Sequence, residues 1–273
     1  MKSKKKVYLI AEIGWNHLGN IKLAEKMIRS AKENGADYCK FQTWSVNNLV
    51  DGPWDNDGRR KIYQKAQLTK EKHKKLLQLC NKHKVHFLTS IFNIKDLEFI
   101  KKLNKRIIKI PSHEIYNMIL IEKCLESFDK VLISTGASKW SEILSISKLR
   151  NFKKKAVLMH CVSSYPCEDK NINLKRINDL EKLTNKIGYS GHASHVHDAI
   201  LSITMGATYI EKHFTINKKL PGRDNRNAIL PDDLKIISDF RDKINLMKIY
   251  KGKNLQSCEM DIFKNYRGRW GGE

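Results

Sequence analysis

Three observations predict that this sequence forms a single-domain (β/α)8 barrel. Its 273 residues are close to the roughly 250 residues of a typical barrel of this type. Eight short apolar or β-branched runs alternate with longer amphipathic segments, and β-then-α units in series favour a closed parallel barrel over an open sheet. Polar side chains follow the predicted carboxyl end of nearly every run, where the active sites of these barrels lie.

The predicted strands are short, and few of them alternate cleanly between apolar and polar residues. Parallel strands that are covered by helices have this character. In chain order the strands are Val7–Ala11, Tyr38–Gln42, Val85–Thr89, Ile107–Ile110, Val131–Ser134, Ala156–His160, Ile187–Ser190 and Thr208–Glu211.

Amphipathic segments between the strands predict helices. The first of them has apolar residues at the spacing of a helix face and stops at Gly35. The predicted helices are Ile21–Asn34, Lys70–His83, Lys95–Asn104, Met118–Phe128, Trp140–Leu149, Leu174–Leu183 and His195–Met205. The segment Asn47–Leu68 is rich in Asp, Gly, Asn and Arg, which predicts a long βα loop that acts as a lid. Residues 1–250 are predicted to form the barrel and residues 251–273 a short tail.

The net charge of +23 comes mostly from lysine, with 41 lysines against 11 arginines. A positive field of this size attracts nucleic acid, anionic membranes or anionic substrates. The lysines are spread along the predicted helices without interleaved aromatic residues, so nucleic-acid binding is kept only as an alternative of another class.

Other features of the composition indicate a cytoplasmic protein that does not contact the membrane. No apolar stretch approaches the roughly 20 residues of a spanning helix, and the basic amino terminus lacks the apolar stretch of a signal peptide. The six cysteines contain no CxxC pair, which is typical of reduced thiols. Cys161 is interpreted as a half-buried structural thiol, with a nucleophile as the alternative.

Charged and hydroxyl side chains collect at the predicted strand ends. In strand order they are Glu12; Lys40 and Gln42; Thr89 and Ser90; Lys109, Ser112 and Glu114; Ser134 and Thr135; His160, Ser163 and Tyr165; Ser190 and His192; and Glu211, Lys212 and His213. Two ammonium groups within a ring of hydroxyls suit a ligand that carries a phosphate and a carboxylate.

Two pairs among these residues have competing interpretations. His192 and His213 lie on adjacent strands and suit a divalent ion with open positions, or they are hydrogen-bonded rim residues. Lys40 and Lys109 interrupt apolar strands, where they bind anions, form structural salt bridges, or act as a Schiff-base lysine. Glu12 and Glu114 are candidate partners for these lysines.

A series of ordered motifs spans residues 7–240. They are Ala11-Glu12-Ile13-Gly14, Asn16-His17, Gly35-Ala36-Asp37, Lys40-Phe41-Gln42-Thr43, Lys109-Ile110-Pro111-Ser112, Ser134-Thr135-Gly136, His160-Cys161, Tyr165-Pro166, Gly188-Tyr189-Ser190-Gly191-His192, Ile210-Glu211-Lys212-His213-Phe214 and Pro221-Gly222-Arg223-Asp224. In this order the motifs resemble the sialic acid synthase family, which includes synthases of N-acetylneuraminate, its 9-phosphate, legionaminate and pseudaminate.

The resemblance implies a transferase that condenses phosphoenolpyruvate with the aldehyde of an N-acyl amino sugar, such as N-acetylmannosamine, to give a nonulosonic acid and phosphate. A related synthase that acts on another aldose or a sugar phosphate is the alternative. The implied cofactor is a divalent metal, Mn²⁺ ahead of Mg²⁺ or Co²⁺, and the implied assembly is a homodimer.

The resemblance also implies roles for individual residues. The implied catalytic residues are Glu12, Lys40, Lys109, His192 and His213, of which the two histidines hold the metal and Glu12 handles the proton of a water. The implied substrate-binding residues are Gln42, Ser90, Ser112, Glu114, Ser134, Ser163, Tyr165, Ser190 and Asp224.

The sequence departs from the family pattern in three places. The third-strand motif Thr89-Ser90-Ile91-Phe92 lacks the usual proline, and Ser163 stands where some members have asparagine. Many members also carry a carboxyl-terminal antifreeze-like domain that supplies an arginine to the partner subunit's sugar site, and the 273 residues end before one. Arg267 or Arg269 is a hypothetical substitute.

Overall fold

Eight parallel strands close into a barrel, in which each strand pairs with the next along the chain and the last pairs with the first. The computed structural model describes residues 6–53 and 57–271. The strands are β1 (Tyr8–Gly14), β2 (Tyr38–Thr43), β3 (His86–Ile91), β4 (Ile107–Ile110), β5 (Lys130–Ser134), β6 (Ala156–Cys161), β7 (Ile187–Gly191) and β8 (Tyr209–His213). The predicted single-domain barrel is confirmed, and each predicted strand overlaps an observed one.

Helices cover the outside of the barrel. Within the described residues they are α1 (Ile21–Glu33), α2 (Arg59–Ala66), α3 (Lys70–Lys82), α4 (Leu97–Leu103), α5 (Met118–Ser127), α6 (Trp140–Ser147), α7 (Phe152–Lys155), α8 (Arg176–Glu181), α9 (His197–Thr204), α10 (Arg223–Asn227), α11 (Pro231–Met247) and α12 (Met260–Asn265). Apolar side chains of α1, α3 and α9, among others, pack with the outward-facing strand residues in buried clusters. None of these helices is both long and apolar enough to cross a bilayer.

The inward-facing side chains of the strands form layers along the barrel axis. At the amino end the rings of Tyr8, Tyr38 and Tyr209 lie against one another, and Lys130 Nζ donates a hydrogen bond to the Tyr209 hydroxyl at 2.5 Å. An apolar layer follows, which contains Ile10, Leu88, Ile107, Leu132, Val157 and Met159. The next inward positions are polar and include Glu12, Lys40, Ser90, Lys109, Ser134, Ser190 and Glu211. The barrel is therefore filled at its amino end and polar at its carboxyl end.

Three residues that the sequence placed at the rim of the site face the helices instead. His160 Nε2 lies 2.7 Å from the carbonyl oxygen of Ile172, and Lys212 pairs with Asp198 at 2.8 Å. Thr89 shares a hydrogen bond with a threonine of β2. Each is one position away from an inward-facing residue, and successive residues of a strand point to opposite faces. Their assignment to the rim is wrong.

The segment Asn47–Leu68 is not the long loop that its composition predicts, because it contains α2. Tyr63 of this helix packs edge-on against Trp15 and Trp44, with ring centroids 5.4 Å apart in both pairs. Residues 54–56 lie outside the described residues, and the role of a lid stays a prediction.

Two further predictions concern the ends of elements. His195 precedes α9 and does not lie on it, and its Nε2 is 2.6 Å from Asp169 Oδ1. The tail contains α12, and its residues up to 271 are exposed. The guanidinium groups of Arg267 and Arg269 lie over Phe263 and Tyr266 of the tail itself.

Candidate active site

Lys40 of β2 lies at the centre of the polar layer, and its side chain is only 4% exposed. Its Nζ is 2.8 Å from Glu12 Oε1 and donates a hydrogen bond to Ser90 Oγ, also at 2.8 Å. A second carboxylate, that of Glu211, lies 3.8 Å away. The ion pair between Glu12 and Lys40 that the sequence offered as one interpretation is therefore present.

Lys109 of β4 pairs with Glu211 of β8 across the barrel, and not with Glu114. Its Nζ donates to both Glu211 oxygens, at 2.9 and 3.0 Å, and Ser190 Oγ donates to Glu211 Oε1 at 3.0 Å. Burial opposes the ionisation of Glu211, but the ammonium groups of Lys109 and Lys40 outweigh it and lower the pKa of Glu211 to about 2. This carboxylate therefore stays ionised, held between two lysine side chains.

Glu12 of β1 differs from Glu211 in its ionisation. Burial raises the pKa of Glu12 from 4.5 to about 7; Lys40 opposes this shift and the charge of Glu211 adds to it. Gln42 Nε2 donates to Glu12 Oε1 at 2.8 Å, while Oε2 is buried and has no hydrogen-bond partner among the described residues. A carboxyl group with this pKa and a free oxygen can accept and return a proton near neutral pH.

Serine hydroxyls lie at or after the carboxyl ends of β4, β5 and β6, around Cys161, which interacts electrostatically with Lys109. Ser134 Oγ is buried without a hydrogen-bond partner among the described residues, and Ser112 Oγ donates to Cys161 Sγ at 3.3 Å. Gly136 packs closely against these groups, since a Cβ there would lie 2.4 Å from Ser163 Oγ and 2.9 Å from Ser112 Oγ. Hydroxyl donors near an ammonium group suit an oxyanion.

Cys161 is fully buried, at 1% exposure, and not half-buried as predicted. Its sulfur lies 3.8 Å from His192 Nδ1. Burial opposes the thiolate, but the His192 ring and the Ser112 hydroxyl outweigh this and lower the pKa of Cys161 to about 7. All six cysteines are free thiols, as the sequence predicts.

His192 and His213 lie side by side at the mouth of the barrel, with ring centroids 5.5 Å apart. His192 Nδ1 donates to the Val162 carbonyl oxygen at 2.7 Å, which leaves Nε2 available as a ligand. His213 Nδ1 is buried without a hydrogen-bond partner in the described part of the chain, and it lies 3.6 Å from Asp224 Oδ2. Burial lowers the pKa of His213 to about 4, so this ring is neutral, as a metal ligand must be.

These two imidazoles fit a divalent ion that takes its remaining ligands from water or substrate. A ring nitrogen bonded to a backbone carbonyl, as in His192, is the usual arrangement behind a metal-ligating histidine. No cluster of three or more His, Cys, Asp or Glu side chains suited to a metal occurs in residues 6–53 and 57–271. In the described part of the chain, the two histidine rings would supply two ligands to such an ion.

The remaining predicted residues lie around this mouth. The Tyr165 ring lies against the His192 ring at a tilt of 39°, with centroids 4.0 Å apart, and the Arg223 guanidinium group lies over the Tyr165 ring at 4.9 Å from its centroid. Trp44 Nε1 donates to Gln42 Oε1 at 3.1 Å, which connects the aromatic contacts of α2 to Glu12. Glu114 is half-buried beyond β4, where burial raises its pKa.

The structure brings together selected residues from seven of the eight strands, and it adds Glu211. Glu211 stood in the series of strand-end residues but was not selected as a site residue. Its inward position follows from the two-residue period that connects it to His213. That period was the signal that could have identified it.

Residues 27–253 match the NeuB family. The chain belongs to the NeuB family. It is 31% identical over 249 residues to the N,N'-diacetyllegionaminic acid synthase of Campylobacter jejuni, an alignment that covers 85% of this chain and 75% of that protein. It is 34% identical to the N-acetylneuraminate-9-phosphate synthase of Drosophila melanogaster, over 85% of this chain and 66% of that one.

A solved structure has the same fold as this NeuB-family chain. The N-acetylneuraminic acid synthetase of Leptospira borgpetersenii, crystallised with citrate, superimposes with a TM-score of 0.85 at 29% identity. The superposition covers 98% of this chain and 93% of that one. The predicted resemblance to the sialic acid synthases is confirmed.

Proposed function

We propose that this chain is a nonulosonic acid synthase, which condenses phosphoenolpyruvate with the open-chain aldehyde of an N-acyl amino sugar and releases phosphate. The observation that carries the proposal is the buried layer in which Lys40 and Lys109 both approach Glu211, together with the Ser134 hydroxyl, which has no hydrogen-bond partner among the described residues. Relatives named as legionaminic, pseudaminic and N-acetylneuraminate-9-phosphate synthases support it.

In the proposed reaction, C3 of phosphoenolpyruvate forms a bond to the aldehyde carbon, and the aldehyde oxygen takes up a proton. Water then adds at C2 and gives up one proton, which leaves a tetrahedral intermediate with a hydroxyl and a phosphate on C2. The bond from C2 to the phosphate oxygen breaks as the hydroxyl loses its proton, and the leaving phosphate takes up a proton. The products are a ketone at C2 and inorganic phosphate.

The lysines and hydroxyls bind the anionic substrate. The ammonium groups of Lys40 and Lys109 supply positive charge to the phosphate and the carboxylate, while Ser90, Ser112, Ser134, Ser163 and Ser190 supply directional donors. The Tyr165 ring forms one wall of the mouth beside the two histidines.

Glu12 handles the proton of the water that adds at C2. Its free Oε2 and its pKa of about 7 suit a group that accepts this proton and returns it. Gln42 orients Glu12 through its hydrogen bond, and Asp224 and Glu114 line the side on which the sugar would lie.

His192 and His213 would hold a divalent cation, and we propose Mn²⁺ ahead of Mg²⁺ or Co²⁺. When bound, such an ion polarises the aldehyde carbonyl as a Lewis acid. Removal with EDTA is expected to abolish turnover, and addition of Mn²⁺ is expected to restore it.

The decisive test is phosphate release from phosphoenolpyruvate with Mn²⁺ and a panel of N-acylated hexosamines. The panel includes hexosamine 6-phosphates, because one relative is named as a 9-phosphate synthase. Release with one class of sugar identifies the substrate, and no release with any sugar contradicts the proposal. Sedimentation equilibrium tests the predicted homodimer.

A Schiff-base aldolase is the competing mechanism, and the lowered pKa of Lys109, caused mainly by burial, is the observation that favours it. The ion pair of Lys109 with Glu211 opposes it, since a Schiff base forms from a neutral amine. Borohydride treatment in the presence of pyruvate is expected to leave the protein mass unchanged. A mass increase that Lys109→Arg prevents would favour the aldolase.

A further inference from the structure

A buried network of Tyr189, Asp198 and Lys212 lies behind the two histidines, on the outer face of the barrel. Lys212 Nζ donates to both Asp198 carboxylate oxygens, at 2.8 and 3.0 Å, and to the Ala193 carbonyl oxygen at 2.6 Å. The Tyr189 hydroxyl donates to Asp198 Oδ2 at 2.9 Å. The side chains of Lys212 and Asp198 are 3% and 0% exposed, and all three donors of the ammonium group have an acceptor.

Two residues of this network are next to residues of the candidate site along the chain. Lys212 lies between Glu211 and His213 on β8. On β7, Tyr189 precedes Ser190. Because successive strand residues face opposite sides, a contact that fixes the outward residue also fixes the backbone from which the inward residues project.

Gly191 shows how closely the network approaches the site. A Cβ at this position would lie 2.4 Å from Asp198 Oδ2 and 2.5 Å from Tyr189 Cε1, so any side chain would displace the carboxylate. Gly191 directly precedes His192, and the missing side chain leaves room for the ion pair at this point.

The backbone around His192 is held from two directions. From the segment after β6, Cys167 N donates to the His192 carbonyl oxygen at 3.1 Å, and the Val162 carbonyl accepts from the ring. From β8, Lys212 holds the carbonyl of Ala193, the residue that follows His192. The contact of Lys212 thus connects the segment that carries His192 to the strand that carries His213.

We infer that Asp198 and Lys212 are positioning residues, which set the separation of His192 and His213 and thereby the affinity of the site for a divalent cation. The inference rests on the proposed function, specifically on a metal held by the two histidines. A merely structural ion pair would affect the stability of the protein and leave the affinity of the folded protein for metal unchanged.

The test is the dissociation constant for Mn²⁺, measured by isothermal titration calorimetry without substrates. The double variant Asp198→Asn/Lys212→Met removes both charges, so no unpaired charge is left buried and the fold is retained. We expect roughly tenfold weaker binding, in the range for groups that orient metal ligands. Tyr189→Phe, which removes one hydrogen bond to Asp198, is expected to cause a smaller loss in the same direction.

The matched control is Asp37→Asn/Arg241→Met. This pair, with an N–O distance of 2.8 Å, is also largely buried but lies at the amino end of the barrel. The control is expected to keep the wild-type dissociation constant, whatever its effect on the melting temperature.

Three other outcomes would overturn the inference. Unchanged Mn²⁺ binding in the Asp198→Asn/Lys212→Met variant overturns the inference but leaves the proposed function standing. This reading requires that the single substitution His192→Ala abolishes Mn²⁺ binding. An equal loss in the control pair also overturns it, since the effect is then a general loosening of the barrel. If the unaltered protein binds no Mn²⁺, the metal site of the proposed function fails together with the inference.

Discussion

Glu12 and Glu211 lie in the same polar layer, yet their surroundings give them opposite ionisation. Glu211 is enclosed by two ammonium groups and stays charged, whereas Glu12 has one ammonium partner and a carboxylate neighbour. When the surroundings drive two pKa values apart in this way, one carboxyl group can supply a lasting negative charge and the other can transfer a proton.

Glu12→Gln is expected to lower kcat by about 10²–10⁴-fold, the range for a lost general acid–base group. In the unaltered protein the rate should rise as pH increases through about 7, because the ionised carboxylate is the form that accepts the proton. This rise should be absent from the variant. Glu33→Gln on the exposed side of α1 is the control, and a normal pH profile in Glu12→Gln would contradict the assignment.

The raised pKa of Glu12 also makes stability depend on pH. A carboxyl with a higher pKa in the folded state binds its proton more tightly there, so its contribution is fully present below pH 4.5 and is lost as pH rises through about 7. Burial lowers the pKa of His213 to about 4, so this ring changes the stability in the opposite direction over the same range. The contribution of Glu12 is therefore measured as a difference. Relative to Glu12→Gln, the melting temperature of the unaltered metal-free protein should fall as pH rises from 4.5 to about 7, as followed by circular dichroism.

Lys109→Met is expected to destabilise the protein by about 3–5 kcal/mol, because it leaves the Glu211 carboxylate buried with a weaker partner. Lys109→Met/Glu211→Gln removes both charges and should recover most of this loss, as measured by urea unfolding. Both variants should bind phosphoenolpyruvate more weakly than the unaltered protein. Full stability in the single variant would show that Lys40 alone balances Glu211.

Most residues of this polar layer were predictable from the sequence, but the ion-pair partner of Lys109 was not. Lys40 and Lys109 were conspicuous because a charge interrupts an apolar strand. The partner of Lys109 was not identifiable, because Glu211 is 102 residues away on a strand that is not a neighbour of β4. His160 and Lys212 were misplaced because the two-residue period was not applied within each strand.

At the scale of elements, α2 is the part of the mouth that sequence reasoning missed. Its residues Arg59–Ala66 include few apolar positions, and only Ala66 is buried, so no amphipathic pattern marks it. It is held instead by the contacts of Tyr63 with two tryptophans, which belong to segments after β1 and β2. The strands were predictable because buried parallel strands are short apolar runs with polar ends.

Tyr63→Ala is expected to raise the KM for the sugar several-fold and leave the KM for phosphoenolpyruvate unchanged. Each edge-to-face contact contributes about 0.5–1.5 kcal/mol, and both are lost from a short helix at the mouth. Gln64→Ala, an exposed residue of the same helix, is the control. Equal changes in both KM values would place the effect in the polar layer instead.

At the scale of the whole molecule, the net charge of +23 is expected to act on the encounter with an anionic substrate. The kcat/KM for phosphoenolpyruvate should fall as NaCl is raised from low concentration to about 0.2 M, because salt screens the field over the Debye length. The KM for a neutral amino sugar should not change. Salt-independent kcat/KM values would show that the lysines serve another purpose, such as solubility.

The tyrosines at the amino end of the barrel, with the apolar layer above them, fill that end and leave the polar layer facing the carboxyl end. A ligand bound to Lys40 and Lys109 would be covered by a second ligand that enters from the carboxyl end. In the proposed reaction phosphoenolpyruvate occupies the deeper position and the sugar lies over it, so the deeper substrate has to arrive first. On that proposal, the filled amino end of the barrel would impose an order of arrival on the two substrates.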